Sequence, residues 1–398
     1  MDMDVRGILG FDPFAPEFRA DPYAHYRELR ADGPLQRTPG GLWISPSFET
    51  CTRILRDPRF GHGDGLGESG PPRRVRSFLV LDPPQHTRLR RLVSRAFTAR
   101  LIERLRPRVA ALVDSLLAEL DGEVDLIPSL AHPLPVIVIS ELLGVPPEDH
   151  DRFTAWSDAL ARGLDPDFLV PEEDLARRDQ ARAEFGAYFR ELAARRRAEP
   201  GDDLLSGLAA IDELSEDDLV ATCILLLVAG HETTVNLIAN GTLALLRAPD
   251  QLGWFRDNLG SAAAVVEELL RYDPPVQLSV RVALEDVEVA GQPIRRGAVV
   301  MLLLSAANRD PEVFADPDRL DVTRWVNEAP RHLAFGQGIH FCLGAPLARI
   351  EGQIALTALV RRGIAPVPGP PKYKDNLILR GLAELPVRLA RPPALLGP

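Results

Sequence analysis

The sequence predicts a mainly α protein with small β-sheets, an α+β fold dominated by its helical body. Three observations predict this. Helical spacing of apolar residues runs nearly unbroken from residue 83 to residue 272. Strand signals are short, at 287–289 and 299–304 with turns at Gly291 and Gly297, and in a weakly alternating tail at 378–389. A further helical pattern follows a glycine-rich loop and reaches about residue 362.

Taken in order, 23–30 has helical spacing that stops at Gly33, and 35–44 reads as a hairpin around Pro39-Gly40-Gly41. Ser47 is positioned to cap a helix through Leu55. Residues 61–78 are rich in Gly, Pro and Arg and predict a long loop, a length that is uncommon unless the loop is functional or disordered. The apolar run 136–143 is closed by Gly144 and Pro146, and a long polar helix at 172–197 follows the loop 163–171. Ser215 with Asp218 is close to a capping box, and starts the longest helix, 219–246, which ends before Pro249.

The chain has 398 residues, enough for a large core, and shows neither a linker nor an internal repeat. It is read as one domain, 1–398, with a β-containing part mainly in 1–60 plus strands near 285–304 and 376–390, and a helical body over 83–272 and 342–362. A net charge of −11 argues against nucleic acid as the main partner. Cys51, Cys223 and Cys342 offer neither a disulfide framework nor a CxxC metal spacing, and suit a reducing cytosol. The N-terminus has no apolar signal stretch, and the most apolar run, 219–229, is too short to span a bilayer. The expectation is a cytoplasmic protein without a membrane partner. Only two basic residues are lysines, Lys372 and Lys374, a skew typical of high-GC bacterial genomes.

The chemistry concentrates near the C-terminus, in Phe335-Gly336-Gln337-Gly338-Ile339-His340-Phe341-Cys342-Leu343-Gly344-Ala345-Pro346. The glycines allow sharp turns and close approach to a flat ligand. Pro346 suits the first turn of a helix. A sulfur at that helix N-terminus faces the positive end of the dipole, which favours a thiolate. Alone, Cys342 would read as a small buried hydrophobe.

The longest helix carries Ala229-Gly230-His231-Glu232-Thr233-Thr234, where it turns abruptly polar. Glycine and threonine there weaken regular hydrogen bonding and predict a local kink or opening. Val235 removes the second histidine of an HExxH zinc motif. Glu268 and Arg271 are an i, i+3 pair on one helix face. His86 and Arg90 share a face of the helix after Asp82-Pro83-Pro84, while Arg88, Arg91 and Arg95 form a basic stripe on another.

Together these segments closely resemble the cytochrome P-450 superfamily, in particular its soluble bacterial biosynthetic branch. The likeness covers nearly the whole chain, including Asn308-Arg309-Asp310-Pro311, 314–324 and Arg380-Gly381-Leu382. The resemblance implies haem b (iron protoporphyrin IX) with Cys342 as axial thiolate ligand, within the loop marked by Phe335 and Gly344. It implies propionate anchors at His86, Arg90, Arg281 and His340. It gives Ala229 and Gly230 the role of leaving room above the haem, Thr233 that of donating a hydrogen bond to iron-bound dioxygen, and Glu232 that of helping to bring protons in. Glu268 and Arg271 become a structural lock beneath the haem, with no catalytic step.

The implied activity is that of a haem-thiolate monooxygenase. It would insert one oxygen atom of O₂ into a C–H bond of a small to medium hydrophobic natural product in secondary metabolism. Electrons would come from NAD(P)H through a ferredoxin reductase and a ferredoxin docking on the Arg88/Arg91/Arg95 stripe. The substrate is a small molecule, free or carried on a carrier protein, and the expected state is monomeric. Epoxidation or oxidative coupling by the same haem would leave the same motifs. A haem-bearing recruitment protein without turnover is a different class, against which the intact Cys342, Glu232 and Thr233 argue. A helical binding protein without haem is the remotest. By family position the pocket is lined by 61–78 (with Arg73, Arg74 and Arg76), 163–171, 225–228 and 276–279.

Overall fold

The computed structural model describes residues 5–63, 77–161 and 170–391. The arginines Arg73, Arg74 and Arg76 and most of the 163–171 segment fall outside them.

A 32-residue helix, Glu216–Arg247, is the axis of the helical body. It starts where Ser215 accepts a hydrogen bond from the Asp218 amide (3.1 Å), satisfying one of the orphan donors of the first turn. From Leu219 to Leu246 most of its side chains are buried. By length and mean hydropathy (1.4 over 18 residues) it could cross a bilayer, but 67% of that window is buried inside the protein. A helix apolar on nearly all sides belongs in the middle of a large core. Around it pack Pro133–Leu142, His150–Ala161, Glu172–Ala198, Ala262–Tyr272 and Ala345–Arg361. We refer to Glu216–Arg247 as the central helix and to Ala345–Arg361 as the cysteine helix.

The expected local signals are present. The helix Pro22–Ala31 ends just before Gly33, whose φ is +126°. Ser47 caps Phe48–Arg56 through the Thr50 amide. Gln36–Arg37 and Trp43–Ser45 form the hairpin. The hairpin joins a five-stranded sheet in the order Gln36–Arg37, Trp43–Ser45, Val299–Leu302, Ser279–Ala283, Phe60–Gly61. Ser279–Ala283 pairs antiparallel with Val299–Leu302, placing Arg281 opposite Val300. This pairing fixes one of the expected anchors on a rigid element.

Two boundaries need correction. The 83–272 segment is not helical throughout: Gly122–Asp125 is a strand, paired with Pro386–Leu389. Strand formation there depends on a partner some 260 residues away, so local periodicity could not reveal it. Ser279–Ala283 likewise extends the β-region beyond 285–304. The opening expected in the central helix is also absent, since the α-helix runs unbroken through 229–234. Thr233 Oγ1 donates to the Ala229 carbonyl (2.7 Å) and Thr234 Oγ1 to the Gly230 carbonyl (2.9 Å). These hydroxyls add bonds to the regular ladder rather than replacing it.

Glu351, on the cysteine helix, is 2% exposed, and its Oε2 has no hydrogen-bond partner among the described residues. Burial pushes its carboxyl up to about 8 from 4.5. The folded chain therefore keeps a proton that the unfolded chain releases. The stability from this group is complete below about pH 4.5 and is lost as pH rises towards about 8. A tenfold change in a protonation equilibrium is worth about 1.4 kcal/mol, so the loss amounts to a few kcal/mol. Glu351→Gln should flatten the decline in thermal midpoint across that window. Parallel wild-type and variant profiles would show that Glu351 is already ionised in the fold.

Candidate haem site

Cys342 lies between a tight loop and the first turn of the cysteine helix. Its backbone N–H donates to the Phe335 carbonyl (2.9 Å), closing the loop on itself. Gly336 and Gly338 take φ of +66° and +70°, the left-handed region that disfavours a side chain. A Cβ on Gly338 would also collide with the Leu55 carbonyl oxygen. Gly344 differs, with an ordinary helical φ of −79°, so its value is not a turn. It lies beside the sulfur, and a Cβ there would sit 3.9 Å from Sγ. Pro346 occupies the first turn, as expected. The Phe335 ring sits under the Arg349 guanidinium, 4.5 Å from its carbon.

Burial pushes the Cys342 thiol above its ordinary value, opposed by backbone N–H donors of Gly344 and Ala345 and by the Arg90 and Arg349 charges. The helix terminus thus does not produce a thiolate unaided. A bound metal cation would supply the missing stabilisation.

Next to the loop lies a group of nitrogen donors drawn from four elements. The rings of His86 and His340 are 4.2 Å apart, and His62 stacks edge-on against His340 at 4.8 Å. Arg90 donates to the Phe341 carbonyl. Arg281 donates to Ser279 Oγ (2.9 Å) and the Val280 carbonyl (2.8 Å). Burial and the neighbouring cations push His340 down to about 2, and burial pulls Arg281 to about 10. His86 is 1% exposed, yet neither of its ring nitrogens has a hydrogen-bond partner among the described residues; nor does His340 Nε2. Buried donors in this state are costly. Repelling, unsatisfied donors of one polarity are a receptor for anions. The two propionates of a haem are the carboxylates that fit.

The opposite wall is the central helix. Within its buried run, Leu225, Ala229, Gly230 and Thr233 are only partly buried. Leu225, Ala229 and Thr233 are four residues apart and mark one helix face, with Gly230 at its edge, while Ile224, also partly buried, points elsewhere. A Cβ on Gly230 would meet only Ile139 Cδ1, at 3.8 Å, so this face has room. Glu232, 5% exposed, holds Lys374 Nζ at 2.7 Å through Oε1.

Beneath the site, Glu268 and Arg271 are fully buried. Arg271 meets both Glu268 oxygens at 2.8 Å and donates to the carbonyls of Asn308, Pro317 and Arg319 at 2.7–3.1 Å. Glu268 also accepts from the Asp321 amide (2.8 Å) and faces Arg324 at 3.3 Å. The pair ties the Asn308–Arg324 strap to the core.

The cytochrome P450 family model matches residues 256–363. Among curated relatives, the cytochrome P450 monooxygenase PikC of Streptomyces venezuelae is 43% identical, covering 96% of this chain and 95% of its own. The 6-deoxyerythronolide B hydroxylase of Saccharopolyspora erythraea is 40% identical, over 94% and 97%. Among solved structures, P450BioI in complex with a hexadec-9Z-enoic acid-ligated acyl carrier protein superimposes with a TM-score of 0.88 at 38% identity, over 94% and 100%.

The chain belongs to the cytochrome P450 family. This P450 is an oxygenase whose cofactor is haem with a thiolate ligand, and its electrons come from NAD(P)H through redox partners. The residues present fit that group, with Cys342 in the donor loop and unsatisfied His86 and His340 nitrogens where carboxylates belong.

Sequence reasoning missed two members of the site. His62 lay inside a long loop and was not singled out, although the chain has only 8 histidines. Lys374 was noted as one of two lysines, but nothing local tied it to Glu232. The basic stripe needs correction as well. Arg88 is bound to Asp218 (2.7 Å) and the Glu213 carbonyl (3.0 Å), and Arg95 faces Glu213 at 3.9 Å. Arg91 alone of the three is exposed without an ion pair among the described residues.

Proposed function

We propose that this P450 inserts one oxygen atom of O₂ into a C–H bond of a hydrophobic natural product. Cys342 would hold the haem, and Glu232 and Thr233 would handle protons on the central helix. The observation that carries this reading is the partly buried stripe Leu225–Ala229–Gly230–Thr233 on one face of a helix whose middle is mostly buried. It is a wall for a flat cofactor and an apolar guest. The chain works as one domain, 1–398, a monomer in the cytoplasm without nucleic acid or membrane partners.

When bound, the haem supplies the redox and oxygen-activating chemistry. His86, Arg90, Arg281 and His340 orient it through the propionates, joined by His62. Thr233 Oγ1 donates to the Ala229 carbonyl (2.7 Å), so donation to dioxygen would require that bond to be released. Glu232 reaches from the buried helix to Lys374, whose side chain is 27% exposed, so the pair bridges core and solvent. Protons enter along this bridge and pass to Thr233. Leu225, Val276 and Ser279, all partly buried, contribute to the substrate wall.

The substrate class follows from this apolar lining and from the likeness to enzymes named for hydroxylation and monooxygenation. A compound library, free and loaded on acyl carrier protein, should reveal binders by a low-to-high-spin shift. Turnover under heavy-isotope O₂ should then place one labelled atom in the product. A coupled product without labelled oxygen would replace hydroxylation by oxidative coupling. Thr233→Ala should keep the thiolate spectrum while diverting most reducing equivalents to peroxide. Unchanged product per electron pair would remove Thr233 from the relay.

The electron donor is a ferredoxin, itself reduced by a ferredoxin reductase. Arg91 is the stripe residue available to it. Arg91→Glu should slow reduction, with a smaller salt dependence than wild type. An unchanged rate and salt slope would move docking to another face.

A further inference from the structure

We propose that His132, Asp158 and His231 form a site for one divalent transition-metal ion of the zinc class, separate from the haem. The three residues belong to elements packed on one another. His132 precedes Pro133–Leu142, Asp158 lies on His150–Ala161, and His231 lies on the central helix. One ligand atom from each lies within 4.8 Å of the others. His132 Nε2 and Asp158 Oδ1 are already 2.9 Å apart, and the two imidazoles meet edge-on with centroids 5.2 Å apart. A tetrahedral zinc with bonds of about 2.1 Å sets its ligand atoms about 3.4 Å apart. The site as folded is thus wider than a bound zinc requires by up to about 1.4 Å.

A second observation points to a ligand. His231 is 0% exposed, and its Nε2 has no hydrogen-bond partner among the described residues. A polar nitrogen in the core without a hydrogen bond carries a desolvation cost. Its Nδ1 lies 2.7 Å from Ser157 Oγ, the kind of second contact that fixes the ring of a metal-ligating histidine. Glu232 Oε2 lies 3.6 Å from His231 Nε2, but its carboxylate is held by Lys374 (2.7 Å) and stays with the proton path, so water would complete the coordination. Two imidazoles and carboxylate oxygen suit zinc and its neighbours rather than magnesium or calcium. The site also has an access path, since the Asp158 side chain is 59% exposed and that of His132 22%.

The test uses the haem-loaded full chain, treated with chelator and titrated with zinc chloride. Calorimetry and metal analysis should find one zinc retained per chain. His132→Ala and Asp158→Asn should each weaken binding by about tenfold or more, while His25→Ala, a histidine elsewhere on the chain, leaves it unchanged. Zinc should raise the thermal midpoint of wild type and not of His132→Ala. The ferrous–CO spectrum of every variant checks that the fold is intact, and exposed Asp158 gives a variant with little risk to folding. Absence of stoichiometric zinc, or undiminished zinc in both His132→Ala and Asp158→Asn, overturns the site. Binding is read without turnover, so either result leaves the oxygenase reading untouched.

Discussion

Glu268→Ala is expected to yield a chain that neither folds stably nor retains haem. The substitution leaves the Arg271 guanidinium, 0% exposed, facing carbonyls without its counter-charge. Removing one partner of a buried ion pair costs about 3–5 kcal/mol. The whole stability of a folded protein is about 5–15 kcal/mol, so this one change removes a large share. The Asn308–Arg324 strap would lose its anchor, and with it the Leu333 amide contact to Asn308 (2.6 Å) that leads into the cysteine loop. Soluble yield and haem content report the outcome. Because the pair contributes geometry and no chemistry, Arg271→Lys should also fail: an ammonium cannot meet both Glu268 oxygens and three carbonyls at once. Haem content at the wild-type level in Glu268→Ala would show that the strap is held by its other contacts.

Cys342→Ser is expected to abolish oxygenation while leaving the fold in place. The loop is built by Gly336, Gly338 and the Cys342 N–H bond to Phe335, none of which involves sulfur. A hydroxyl fits the same space but is not the electron-rich donor that favours O–O cleavage. Circular dichroism should match wild type, the propionate anchors should still retain haem, and product formation should fall to background. Residual substrate oxidation near the wild-type rate would mean that another residue supplies the axial ligand.

Much of this was legible in the sequence because it is local. Ser47 and Ser215 announced the starts of their helices by side-chain chemistry at fixed offsets. The cysteine loop was readable because glycine, proline and cysteine each restrict or enable the backbone in a known way. What was hidden depended on distant partners. The Gly122–Asp125 strand exists because Pro386–Leu389 lies beside it. Lys374 matters only because its chain segment returns to the central helix at Glu232. The same blindness made Arg88 look like a free surface charge, when Asp218 on another helix already binds it. The expected helix opening failed for a different reason. Threonine hydroxyls can compete for a carbonyl or supplement its regular bond, and composition does not distinguish the two.

The ferrous–CO difference spectrum of the wild-type chain tests whether Cys342 is the haem ligand. With Cys342 as axial thiolate, the Soret band should appear at the strongly red-shifted position of thiolate-ligated haem, and this band should be absent in Cys342→Ser. A wild-type band at the position of imidazole- or water-ligated haem would contradict the account.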